Sequence, residues 1–143
     1  VLQSTLVLVA ARHTEADLSA LNRLAQAQIE AFDREDTEAL ARGDIALIDA
    51  LFDASHSLTF RWIANNLLEV AREIVERFPG LWIQDPEYPE TIAKLLEALR
   101  CRDGEEAAHT LDAYYARTDA TLVGMLETLT PQAGRALSGG VRS

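Results

Sequence analysis

The chain has 143 residues, a formal net charge of −10 and a pI near 4.6, so it is long enough for one domain with a real core, and its acidic surface argues against direct contact with phosphate backbones. One cysteine, Cys101, excludes an intrachain disulfide and fits a reducing, cytoplasmic setting. No run of about 18 apolar residues occurs, so no transmembrane helix and no membrane partner are expected.

Leu2 to Ala11 reads as the end of an apolar helix; no basic segment precedes it, so it is not a signal peptide. The start at Val1 rather than methionine suggests a piece of a longer protein. Thr14-Glu-Ala-Asp17 forms a capping box variant. It opens a helix whose face carries Leu18, Leu21, Ala25, Gln28, Ile29 and Phe32. Arg34 to Arg42 is charged and reads as a separate or bent helix, with Gly43 as its stop and Asp44 as the next cap.

The longest helical pattern runs from Asp44 to Asn66. Ile45, Ile48, Leu51, Phe52, Leu58, Trp62 and Ile63 recur at three- and four-residue steps, the period of one buried face. Asp49, Asp53, His56 and Phe60 form a second stripe. Acids on such a helix must be solvated, paired or functional. Asn65-Asn66 predicts a break. Leu67, Val70, Ala71, Ile74 and Phe78 give the next apolar line, ended by Pro79-Gly80. Leu81 to Tyr88 reads as a loop, and Pro89 starts a helix packed through Ile92, Leu95, Leu96 and Leu99. Asp103-Gly-Glu-Glu106 caps a final helix with Leu111, Tyr115, Thr118, Leu122, Met125 and Leu129 in bundle spacing. The fold class is therefore all-α, an antiparallel bundle of six or seven helices. Residues 1–129 form the domain and 130–143 a flexible tail.

Three chemical readings compete. Asp53-x-x-His56 and Glu106-x-x-His109 share the acid-x-x-His spacing of carboxylate-bridged metal bundles, which raises a metal-dependent helical-bundle enzyme as the alternative. Against it, four-residue coincidences are common in a chain with 23 acids and three histidines, and Glu106 sits in a capping turn. Cys101 between Arg100 and Arg102 has the setting of a lowered thiol pKa, but no glycine-rich phosphate loop or nucleophile elbow accompanies it. Arg61, Arg72 and Arg117 are the helix-borne cations that an anionic ligand would meet.

Three stretches resemble the effector domain of GntR-type transcriptional regulators, in the branch named for the fatty-acid-responsive regulator FadR (the FCD fold). Ala10 to Leu18 is similar to an alanine-rich first helix followed by a Thr-x-x-Asp-Leu start. Asp53 to Asn66 resembles an Asp-x-x-Phe-His…Gly-Asn stretch. Leu95 to Ala107 is similar to an Ile-Leu-x-Ala-Ile…Asp-x-x-x-Ala stretch, the most specific of the three. The likeness spans residues from about 10 to 128. Many members of that family hold a metal through an aspartate and three histidines. On the resemblance Asp53 takes the aspartate position, while Ser57, Ile92 and Tyr114 stand where the histidines would be. Isoleucine cannot ligate a metal, and His56 is one residue, about 100° on a helix, out of place. No metal and no cofactor is therefore expected, and no catalysis.

The resemblance implies the effector-sensing and dimerisation domain of a bacterial regulator. A small organic acid or acyl compound would sit in a bundle cavity lined by Asp53, Ser57, Phe60, Asn66, Ile92 and Tyr114, with Arg61 and Arg117 for an anionic group. Asp53 is expected to be buried beside that cavity, next to Ser57 and Tyr114. The partners implied are a second copy in an isologous homodimer and operator DNA. The DNA would be reached through an N-terminal winged helix–turn–helix, which nothing in these residues resembles.

Overall fold

The computed structural model describes residues 2–80, 82 and 85–129. They form six helices: α1 (Leu2–Arg12), α2 (Glu15–Asp33), α3 (Thr37–Ala54), α4 (Leu58–Arg77), α5 (Tyr88–Arg100) and α6 (Gly104–Leu129). No strand occurs among the described residues, and the all-α bundle expected from the periodicity is what they build. The tail expected over 130–143 lies outside them, as do Leu81, Ile83 and Gln84 of the expected loop.

The main core gathers Leu6 and Val9 of α1, Leu21 of α2, Leu40 and Leu51 of α3, Leu95 and Leu99 of α5, and Leu111 of α6. Leu21, Leu51, Leu95, Leu99 and Leu111 lie where the three-and-four spacing places them, whereas Leu58 and Trp62, expected on a buried face, and Leu122 and Met125, expected in a bundle seam, are exposed. α2 packs along α3 and α5, and α6 packs along α1 and α5. α4 stands apart. It packs on α3 through a small separate cluster of Phe52, Ala64 and Leu68. No other helix makes an extensive contact with it among the described residues.

Local chemistry fixes the helix ends. Thr14 makes the predicted capping box with Asp17. Asp36 caps α3, Ser57 caps α4, and the Asp103 carboxylate accepts from the Glu106 amide at the start of α6. Arg102 donates to the carbonyls of Ala10, Ala11 and His13 at 3.1–3.3 Å, answering the orphan acceptors at the end of α1.

Three expectations are corrected. Gly43 does not stop a helix: α3 runs through it. Its missing side chain makes room for Gln28, whose Oε1 would clash with a Cβ at that position. Asn65-Asn66 does not break α4, because Asn65 accepts from Arg61 and Asn66 bonds back to the Trp62 carbonyl, both within the helix. The predicted single helix from Asp44 to Asn66 is instead broken at Ser55-His56-Ser57. There His56 takes a left-handed backbone, φ 49°, and Ser57 begins a new helix by capping it.

Gln28 is the polar centre of the packing. It is fully buried and donates from Nε2 to the Leu40 carbonyl at 3.0 Å and to the Tyr88 hydroxyl at 2.7 Å. A methyl group at position 43 would push this amide off both partners, leaving buried polar groups unpaired. Gly43→Ala is therefore expected to lower stability by roughly 1–3 kcal/mol in urea denaturation. In a Gln28→Ala background the same substitution should cost much less, because the obstructed amide is gone.

Candidate functional site

The eight candidate ligand residues do not line one cavity. Asp53 is the clearest correction: its side chain is 67% exposed and held 2.7 Å from Arg61 Nη1, not buried beside Ser57 and Tyr114. It lies on the solvent-exposed side of α3, where the Arg61 side chain of α4 reaches it. Ser57 spends its hydroxyl on the Phe60 amide. Phe60 is half-buried against the Phe52–Ala64–Leu68 cluster, and Asn66 is exposed. Ile92 is in the main core. Tyr114 is half-buried with its ring 5.9 Å from that of Tyr88.

Arg61 organises the α3–α4 side. Its Nη2 donates to Asp49 Oδ1 at 2.6 Å, its Nη1 to Asp53 Oδ1, and its Nε to Asn65 Oδ1 at 3.1 Å. Burial disfavours this cation, but the two carboxylates outweigh that and hold its pKa above the ordinary value. An arginine so occupied is a clamp between helices more than a seat for an anion. Asp49 was not among the candidates. The signal for it was present: the Asp-x-x-Phe spacing is met by Asp49 and Phe52, one turn before the register that starts at Asp53.

The metal-bundle set is also dispersed. His56 Nε2 pairs with Asp17 Oδ2 at 2.7 Å, Asp53 pairs with Arg61, and Glu106 and His109 border a cleft between α5 and α6. Partial burial raises the Asp17 carboxyl, yet the Thr14 amide, His56 and the Thr14 hydroxyl together bring it below its usual value. No three His, Cys, Asp or Glu side chains converge to hold a metal ion among the described residues. Ser57, Ile92 and Tyr114 have other employment and do not fit one. Cys101 is exposed; Arg100 forks onto Glu97 and also donates to Cys101 Sγ at 3.6 Å, the thiol in turn reaches Glu97 Oε1 at 3.6 Å, and Arg102 is engaged with the end of α1. The fork of Arg100 holds the Glu97 carboxyl down to about 2.

The α5–α6 cleft has a volume of about 250 Å³. Its walls are Glu87, Glu90, Thr91 and Lys94 on one side and Glu106, His109, Thr110 and Arg117 on the other. Of the eight candidate ligand residues, Arg117 alone lines it, together with Glu106 and His109 of the metal-bundle set. Its guanidinium is fixed by the buried Asp85 at 3.1 Å, by Glu87 at 3.0 Å and by the Thr91 hydroxyl at 2.8 Å. Lys94 and His109 have no ion-pair or hydrogen-bond partner among the described residues, which leaves them available to a solute.

Beneath the cleft, Tyr88 links α5 to the core: its hydroxyl accepts from Gln28 and donates to Asp44 Oδ1 at 3.2 Å. Burial pushes the Asp44 carboxyl up to about 6, the Tyr88 hydrogen bond offsetting only part. Burial, then the Asp44 charge, pushes the Tyr88 phenol well above its ordinary value. Burial likewise raises Tyr115, to about 12. Trp82 packs edge-on against Tyr88 at 5.1 Å with its buried Nε1 unpartnered among the described residues.

The described residues form a six-helix bundle with a polar cleft between α5 and α6. A sequence model of the FCD domain matches residues 1–117, and the chain belongs to that family, the C-terminal effector-binding domain of GntR-type regulators. No curated protein matches the chain significantly. No helix among the described residues is long and apolar enough to cross a membrane.

Two outcomes follow from these contacts. A carboxyl raised in the folded state above its unfolded value of 3.8 stabilises fully below that value and loses its contribution as pH rises through about 6. Urea stability should therefore fall by roughly 1–3 kcal/mol from this group between about pH 4 and pH 7. Asp44→Asn should flatten that part of the profile. Arg61→Met should cost about 1 kcal/mol, since the clamp is partly solvated, and should speed amide hydrogen exchange in α4 more than in α5.

Proposed function

We propose that the chain is the effector-sensing and dimerisation domain of a FadR-branch transcriptional regulator, working in the cytoplasm. On this reading a small organic acid binds the α5–α6 cleft and biases how two copies present an N-terminal DNA-binding domain. The observation that carries the site is Lys94 and His109, uncommitted beside the fixed Arg117. Lys94 and His109 would take the carboxylate. Glu90 and Glu106 across the cleft accept hydrogen bonds, which favours an acid that also bears hydroxyl or amino groups. An acyl chain fits this polar cleft less well. The small volume suits a compact metabolite, since drug-sized ligands need roughly 300–1,000 Å³. For binding to control DNA, the acid must favour one arrangement of the pair over another.

A thermal-shift screen of hydroxy acids, sugar acids, amino acids and acyl-CoAs tests the reading. A true effector at 100 times its Kd adds about 2.7 kcal/mol, a rise in Tm of roughly 5–10 °C for a chain of this size. Lys94→Ala should remove most of that rise while leaving the unliganded Tm within about 1 °C, since surface changes rarely exceed 0.5 kcal/mol. If no member of any class raises Tm, the effector reading fails.

A further inference from the structure

α4 carries two apolar faces and uses only one. Ala64 and Leu68 are buried against α3. A second line, Ile63, Leu67, Val70, Ile74 and Phe78, lies roughly a quarter turn away around the helix. Its spacing of four, three, four and four is that of a helix–helix seam. Leu67, Val70, Ile74 and Phe78 are 54, 58, 45 and 60% exposed. From Val70 an i, i−4 row continues through Asn66 to the exposed Trp62 and Leu58.

These six exposed apolar side chains offer on the order of 800 Å², about what one partner contributes to a standard interface, whereas a monomer's largest patch is usually a few hundred Å². No charged side chain stands in the seam from Ile63 to Ile74. With a formal charge of −10, two copies repel at long range, so an uncharged strip is where they can meet.

We propose that two copies of this chain pair through α4, antiparallel, with the seam of each filling the other. A twofold axis between Leu67 and Val70 sets Leu67 of one copy against Val70 of the other and Ile63 against Ile74. The same residues meet in both directions, as an isologous contact requires. Glu73 then faces the neutral Asn66 rather than another acid. The pairing gives a face to the dimerisation in the reading above, and it does not rest on the assignment of the effector cleft. Because the contact is apolar and the copies are like-charged, added salt screens their repulsion and strengthens association.

Sedimentation equilibrium of the unliganded chain tests this, with Leu67→Glu/Val70→Glu as the main variant and Leu67→Ala/Val70→Ala as the milder one. Both sites are exposed on a single copy and both replacements suit a helix. The wild type is expected to be a dimer at tens of micromolar, tighter at higher salt. The glutamate variant is expected to be monomeric with unchanged far-ultraviolet circular dichroism, and the alanine variant to dissociate at least tenfold more readily. A monomeric wild type, or variants as dimeric as the wild type, overturns the proposal. Thermal stabilisation by an acid, measured on the same samples, reports separately on the effector reading.

Discussion

The bundle depends on one buried amide. Gln28 stands where α2, α3 and α5 meet and has no water to fall back on, so its two donor bonds, to Leu40 and Tyr88, must both be made. That requirement propagates. It places the Tyr88 ring against Phe32, Trp82 and Tyr114, and it directs the Tyr88 hydroxyl to Asp44. It also makes any side chain larger than hydrogen at position 43 costly, since the Gln28 amide would have to move. An apolar core of similar volume would tolerate sliding of α2 along α3; a hydrogen-bonded amide fixes the register.

Periodicity made most of this legible. Leu6, Leu21, Leu51, Leu95, Leu99 and Leu111 are buried where their three-and-four spacing puts them, because a helix face is set by local geometry. The Thr14 cap and the Pro79-Gly80 stop are likewise local, and both were read correctly. The errors arose where tertiary contacts decide. Gly43 has the composition of a stop, but it is small for Gln28's sake. The real turns pass through Glu35, His56 and Arg102, three left-handed residues that are not glycine and carry no compositional mark. The apolar line of α4 follows from its spacing, yet spacing says nothing about what covers it, and Leu67, Val70, Ile74 and Phe78 are exposed. The candidate site suffered more. Asp53 follows from its separation from Asn66, but its pairing with Arg61, shared with Asp49, depends on the packing of α4 on α3 and is not visible in that spacing. His109 is visible in the sequence only as a possible metal ligand, and its proximity to Lys94 is not, because the two are joined only by the packing of α5 on α6.

On the proposed reading, ligand binding and pairing fall on two sides of the molecule. On one, Asp85, Glu87 and Thr91 hold Arg117 at the edge of a cleft whose other basic side chains, Lys94 and His109, are uncommitted. A preformed site of that kind spends little of a ligand's binding energy on ordering side chains. On the other, Arg61 straps α4 to α3 by charge, with a small apolar cluster beneath. A helix so attached has few buried contacts, which places it at the low-stability end of the fold. α5, which forms one wall of the cleft, is tied through Tyr88 and Asp44 to α3, and α3 carries α4. A shift of α5 on binding therefore has a continuous packed route to the helix with the exposed seam.

The central claim is that a small acid occupies the α5–α6 cleft. Two-dimensional ¹H–¹⁵N NMR of the labelled chain, titrated with the acid giving the largest thermal stabilisation, tests it most directly. The expected result is saturable shifts at the Thr91, Lys94, His109 and Thr110 amides, with smaller changes along α3. Shifts confined to the Arg61 face of α3 and α4, or none beyond those of an unrelated acid, would contradict it.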